Sequence, residues 1–388
     1  MSAVVEPTAQ ETELSTSRTV LKGANPQKRI DALDGFRALA ILLVIGYHYS
    51  VRWAPPMAAA TKYPYRGDLA QFWPFQYGTL VQFGYLGVEL FFIISGFVIS
   101  MTLFRSSSLL DFAWKRFARL FPTMLLCSII TFMVVRLLPQ AGFTSHLRDF
   151  APSLTFTDPL IWDKLFGGHF SAIDGVYWSL FVEVEFYFWI GILFFLSRQQ
   201  RFFLASAIFF PLLWGLHRVL MEVAASYADR LGSVFALEFL PWFIAGIGFY
   251  AVFADHRSRL GWLLVGEALA VETATQWIGL LSMLLFDVLL WAMLYRPRWV
   301  AWSAARPLAA IGAASYSLYL LHQHIGLSLI VAIGKQLPAS WLPWSWWLVP
   351  CVAALMIGLS LIVYRYWEMP AKSLLTRSWR PSRRLPAQ

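Results

Sequence analysis

Charge is scarce in this chain. Only 14% of its 388 residues are charged, against 58% that are hydrophobic, whereas soluble domains carry about 25% charged residues. That shortage excludes an ordinary water-soluble protein and implies an integral membrane one. Cysteine is nearly missing. Cys127 and Cys351 are the whole supply, and both fall inside apolar runs, which argues against a disulfide framework and reads as two inert small hydrophobes. Residues 1–28 are polar and hold no apolar core, so they are expected to be a disordered tail and not a cleaved leader. Period-2 alternation is missing from the apolar runs, and the runs are too long for barrel strands, so a β-barrel is excluded. No HxxxH or HxxE pair stands at ligand spacing on one helix, so no metal is expected. No internal repeat stands out.

What the chain does have is long apolar runs and aromatics: Phe 32, Trp 19 and Tyr 15, suited to a helical bundle with aromatic belts at both interfaces. A transmembrane helix needs about 20 apolar residues. Ten such spans are expected, at 36–52, 80–104, 119–138, 176–197, 202–221, 234–253, 260–276, 278–295, 307–332 and 346–367. The pair 260–276 and 278–295 carries Glu267, Glu272 and Asp287 and is joined by a very short turn. The expected division is a disordered tail (1–28), a transmembrane domain (29–372) and a basic tail (373–388). With about twenty residues after the last span, no appended soluble domain is expected.

The net charge of +9 is scattered among the spans, which points to topology and not to nucleic acid. With a cytoplasmic N-terminus, 22 of the 31 Lys and Arg residues fall on the cytoplasmic side. The positive-inside rule therefore puts both termini in the cytoplasm. Two loops rich in Pro, Gly and aromatics, 53–79 and 139–175, are expected outside, long enough to cover a cavity.

Ionisable groups inside a membrane mark function by default. In the first span, Arg37 and His48 are eleven residues apart, so they share a stripe about 16 Å long. Two levels of charge follow. Arg37, Arg116, Arg119, Arg365 and Glu368 lie towards the cytoplasm. His48, Glu89, Glu183 and His322 lie deeper, towards the outside. The plain alternative is a set of interhelical pairs that holds the bundle together. A histidine with a nearby carboxylate suits proton abstraction from a hydroxyl. Arg116 and Arg119, at i and i+3, suit either a snorkelling anchor or a bidentate phosphate clamp. Glu183 and Glu185 point about 200° apart and cannot form a dyad, while Glu183 shares a face with Tyr187. Ser315, Tyr319 and His322 share another face, and His324 points elsewhere. Ser95 reads as a small residue that permits close helix packing.

These residues carry a resemblance. Arg37-x10-His48, Gly87-Val-Glu-Leu-Phe-Phe-Ile-Ile-Ser-Gly-Phe97, Arg116-Phe-Ala-Arg119, Trp178-Ser-Leu-Phe-Val-Glu183, Ser315-Tyr-Ser-Leu-Tyr-Leu-Leu-His322 and Glu368-x-Pro370 occur in that order. Together, over about 29–372, the chain resembles the membrane acyltransferase-3 family of bacterial O-acyltransferases. The resemblance implies a ten-helix inner-membrane enzyme that moves acyl groups, often acetyl from acetyl-CoA, onto surface glycans and related acceptors. The family's outer Asp stands here as Glu89. Its Glu-Glu-Gln stands as Glu183-Val184-Glu185, so the carry-over reaches Glu183 and not Glu185.

The resulting expectation is an all-α polytopic O-acyltransferase without a tightly bound cofactor, using acetyl-CoA or another acyl-CoA as co-substrate. Arg37, Arg116 and Arg119 would take the donor's phosphates. His48 would act as base or as acyl acceptor, with Glu89 or Glu183 orienting it and His322 beside it. Trp178, Tyr187 and Tyr319 would contact substrate. The expected partners are the acyl-CoA donor, a glycan or lipid-linked sugar, and membrane lipids. A small secondary metabolite such as a macrolide is the alternative acceptor. A transporter or flippase, with the same charges lining a path, is the rival class, and a scaffold with paired core charges is a third. Direct transfer and an acyl-enzyme both stay open.

Overall fold

The computed structural model describes residues 26–52, 81–139, 143–275, 277–338, 340–341 and 347–379. The expected N-terminal tail (all but its last residues), the whole 53–79 loop and the last residues of the basic tail lie outside these. Among the described residues there are helices and turns but no strands, and the chain is an all-α polytopic membrane protein.

In chain order the helices are α1 (Pro26–Tyr47), α2 (Gly87–Leu103), α3 (Leu109–Leu137), α4 (Phe150–Thr155), α5 (Pro159–Phe166), α6 (Trp178–Leu196), α7 (Phe202–Val223), α8 (Ala225–Val234), α9 (Leu240–Ala254), α10 (Arg259–Thr275), α11 (Trp277–Tyr295), α12 (Arg306–Ala313), α13 (Ser315–Gly334), α14 (Leu348–Val363) and α15 (Met369–Ser378). Two π-helical segments interrupt the pattern. His48–Arg52 extends α1, and Tyr364–Glu368 joins α14 to α15. Such segments often mark functional positions, and these hold His48 in the first and Arg365 and Glu368 in the second.

All ten expected spans are helical, but their lengths differ from the expectation. Among the described residues, eight helices are long and apolar enough to cross a membrane and Leu240–Ala254 is a shorter apolar helix, while the expected span 260–276, the 17-residue helix Arg259–Thr275, is not among them. At 15 residues Leu240–Ala254 rises about 22 Å, short of the roughly 30 Å of hydrocarbon. Residues 307–332 are two helices and not one, with the break at Ala314. The third span begins at Leu109 rather than 119. Ser108 caps it by accepting the Asp111 amide at 3.1 Å, and Asp111 pairs with Lys115 at 2.8 Å. Both contacts favour a helical first turn.

α13 is the axis of the bundle. Of its 20 residues, 17 are buried, as expected of a helix that is apolar all round. α7 is peripheral, with only 22% of its apolar window covered by protein. α2 and α9 cross backbone to backbone. A methyl group at Gly96 would lie 2.1 Å from the Phe243 carbonyl oxygen, and one at Gly246 would lie 2.0 Å from that of Ile93. Only glycine permits this approach, and it draws the Glu89 helix tightly into the bundle.

Candidate active site

Two histidines from opposite ends of the sequence meet at the centre. His48 stands on the π segment that ends α1, and His322 is fully buried on α13. His322 Nε2 lies 3.1 Å from His48 Nδ1, and His322 Nδ1 lies 2.8 Å from the Tyr319 carbonyl oxygen. The neighbour of His48, Tyr49, is also fully buried and donates its hydroxyl to the His322 carbonyl oxygen at 2.6 Å. That reach exists because residue 326 is glycine. A methyl group there would sit 1.8 Å from Tyr49 Oη.

Tyr319, whose ring lies beside His322, lines a narrow cavity of about 70 Å³ that neither histidine borders, together with Arg37, Arg116, Arg119, Glu183, Tyr187 and Ser95 among others. On the measure used for a water, about 10–15 Å³ each, it has room for a few waters. Glu183 Oε1 accepts hydrogen bonds from Ser95 Oγ and Tyr187 Oη. Arg116 Nη2 donates to Thr102 Oγ1 at 2.6 Å, and its guanidinium lies 5.7 Å from the Tyr187 ring centre. Arg37 is 3.7 Å from Asp34. Ser315 Oγ is buried here without a hydrogen-bond partner, as is Arg116 Nε. Three guanidiniums face Glu183, so the cavity carries excess positive charge. Below it, Glu368 accepts the Ser317 hydroxyl at 2.5 Å.

His48 lines a far larger cavity of about 1620 Å³, together with Glu89, Trp178 and residues of the 143–175 segment. Its wall holds six carboxylates (Glu89, Asp158, Glu185, Asp229, Glu238 and Glu272) against one lysine, Lys164, and four tryptophans. Between the two cavities stands Tyr319. Its hydroxyl donates to the Val176 carbonyl oxygen at 3.0 Å and lies 2.7 Å from Ser179 Oγ. Its ring lies 5.6 Å from the His322 ring and 6.1 Å from Phe91.

The expected four-residue cluster is therefore divided. His48 and His322 meet. Glu89 borders the wide cavity with His48, while Glu183 sits among the arginines. His48 has a ring neighbour at hydrogen-bond distance that the expectation of an orienting Glu89 or Glu183 did not include, His322. Tyr187 shares a face with Glu183 as expected, and there it links Glu183 to Arg116. Trp178 lines the wide cavity. His324 lies on another face of α13 from His322 but lines the wide cavity with His48. It stacks on Phe143 at 4.0 Å, with Nδ1 3.1 Å from the Ile173 carbonyl oxygen. Ser95 is a correction: its hydroxyl binds Glu183 and lines the arginine cavity. Asp174 was not anticipated. Fully buried, it accepts from Val176 N at 3.2 Å, Gln323 Nε2 at 2.9 Å and His324 N at 2.8 Å. It thus anchors the start of α6 to α13. The Asp-Gly pair just before an apolar run was the available signal, that of a helix N-terminus.

A family model described as an acyltransferase domain matches residues 30–365. The O-acetyltransferase OatA of Staphylococcus aureus is 25% identical over 390 residues, covering 88% of this chain and 57% of the relative. An O-acetyl transferase of Shigella phage Sf6 is 23% identical over 224 residues, covering 54% and 57%. Nodulation protein 10 of Rhizobium leguminosarum bv. viciae is 27% identical over 316 residues, covering 75% and 83%. The chain thus spans little more than half the length of OatA. No solved structure matches.

Proposed function

Because the chain belongs to the membrane acyltransferase family whose domain it matches over residues 30–365, we propose that it is an O-acetyltransferase that takes acetyl from acetyl-CoA and delivers it to a sugar hydroxyl. One observation carries this reading: a histidine pair stands between two cavities, His48 lining the wide, aromatic, acidic one and His322 packed against Tyr319, which lines the cationic one. The names of OatA and of the phage relative support acetyl as the group moved.

Coenzyme A is a polyanion, and Arg37, Arg116 and Arg119 offer it guanidiniums that grip phosphate bidentately. Arg37 and His48 are about 16 Å apart along α1, close to the reach of an extended pantetheine arm. The charge asymmetry of the sequence puts the arginines on the cytoplasmic side, where the donor is made. A cavity of about 70 Å³ is too small for the arm, so Tyr319 and Ser179 must part for it to pass. The tryptophan-lined cavity is wide enough for an oligosaccharide, and aromatic faces suit sugar rings. Its excess of carboxylates disfavours anionic acceptors and repels the phosphates of the donor.

In the step proposed, His48 takes the proton of the acceptor hydroxyl as its oxygen attacks the thioester carbon. The carbon–sulfur bond breaks, and His48 returns the proton to the departing thiolate. A positioned base of this kind contributes about 10²–10⁴ in rate. The test is purified protein in lipid nanodiscs with isotope-labelled acetyl-CoA and a panel of oligosaccharides, read by mass spectrometry. Label should enter a sugar with wild type and fall at least about a hundredfold with His48→Ala. Transfer that survives His48→Ala would overturn the assignment.

A further inference from the structure

We infer that His322 is a positioning residue that holds His48 in the single tautomer able to act as a base at Nε2. The inference rests on the proposed reading of His48, but it follows from hydrogen-bond valence. A backbone carbonyl oxygen only accepts, so the 2.8 Å contact with Tyr319 puts a proton on His322 Nδ1. His322 is fully buried on the most enclosed helix, where an unpaired charge is costly. The buried carboxylate of Asp174 is already engaged with Val176, Gln323 and His324. A neutral His322 protonated at Nδ1 has only a lone pair at Nε2. The 3.1 Å contact is then a hydrogen bond from His48 Nδ1 to His322 Nε2. With its proton on Nδ1, neutral His48 carries its basic lone pair on Nε2. The opposite arrangement, with His322 donating, would leave His48 protonated at Nε2 and unable to take a proton there.

The surroundings fix this pair in place. The Tyr49 hydroxyl is bonded to the His322 backbone, so consecutive residues of the π segment grip the same point of α13. The ring of His48 lies with its centre 5.0 Å from that of His322. During transfer the acceptor's proton goes to His48 Nε2, while the Nδ1 proton stays on His48, hydrogen-bonded to His322. His322 takes no proton. It plays the part that a third, orienting group plays beside a catalytic base, here with a neutral ring instead of a carboxylate.

The experiment is nitrogen-15 NMR of histidine-labelled protein in nanodiscs, with His48 assigned by its loss in His48→Gln. Wild type should show His48 protonated at Nδ1. In His322→Ala it should shift to the Nε2-protonated form, with kcat down about 10²–10³-fold and KM for acetyl-CoA unchanged. His322→Gln, whose amide oxygen accepts from Nδ1–H, should restore the tautomer and part of kcat. His322→Lys, a donor only, should restore neither. If His322→Ala does not fold, the Gln and Lys variants carry the contrast. An Nε2-protonated His48 in wild type, or equal activity in the Gln and Lys variants, would overturn the inference. The tautomer is read without turnover, so failure of acetyl transfer with a correct tautomer would count against the reaction and not against the relay.

Discussion

Replacing Gly326 by alanine tests how tightly the histidine pair is built. The added methyl carbon would lie 1.8 Å from Tyr49 Oη, 2.5 Å from Cζ and 3.0 Å from Cε1. Ordinary contact begins near 3.4 Å, so the ring must retreat by roughly 1.5 Å or α13 must shift. Either move breaks the 2.6 Å hydrogen bond to the His322 carbonyl. Overpacking costs about 1–3 kcal/mol and the lost hydrogen bond about 1 kcal/mol, a total of about 2–4 kcal/mol. The residue displaced is the neighbour of His48, and a misplacement of about 1 Å at a reacting group lowers rate by about a hundredfold. The assay pairs thermal unfolding in detergent with acetyl transfer. Gly358→Ala is the control, because a methyl group there meets nothing within 4 Å. Adding Tyr49→Phe should recover only part of the loss, since the ring carbons still clash. A Gly326→Ala protein that melts and turns over like wild type would refute the claim that Tyr49 clamps the pair.

Arg116→Ala with Arg119→Ala should weaken acetyl-CoA binding by calorimetry far more than acceptor binding, and lysine at both should rescue only in part, because a point charge lacks the bidentate grip. Asp174→Ala should cost several kcal/mol by leaving three buried donors unpaired, seen as a lowered melting temperature, with Asp174→Asn milder. Reporter fusions after residues 110, 200 and 380 should read cytoplasmic and those after 160 and 340 external, and an external reading at 110 would reverse the side of donor entry.

The helices were legible because hydrocarbon demands long apolar runs, and no soluble fold uses so many. Their ends were not. Asp111 and Lys115 look like loop charges until the i,i+4 pair puts them on a helix. Arg37 and His48 share one helix, so their separation could be counted. The pairing of His48 with His322 could not, because 274 positions separate them and rotation about a helix axis is decided by packing. Glu183 and Tyr187, one turn apart, were legible as a pair for the same local reason. Ser95 was misjudged because a hydroxyl in an apolar run gives no sign of a carboxylate on another helix. Asp174 was missed because two of its partners are backbone amides, which leave no trace in side-chain pattern.

The central claim is that one site joins a donor from one side to an acceptor on the other. Proteoliposomes of known orientation test it, with acetyl-CoA only at the face bearing the arginines and an impermeant oligosaccharide only at the face of the wide cavity. The account predicts acetylated sugar with wild type and none with His48→Ala. Acetylation that requires both substrates on the arginine side would contradict it.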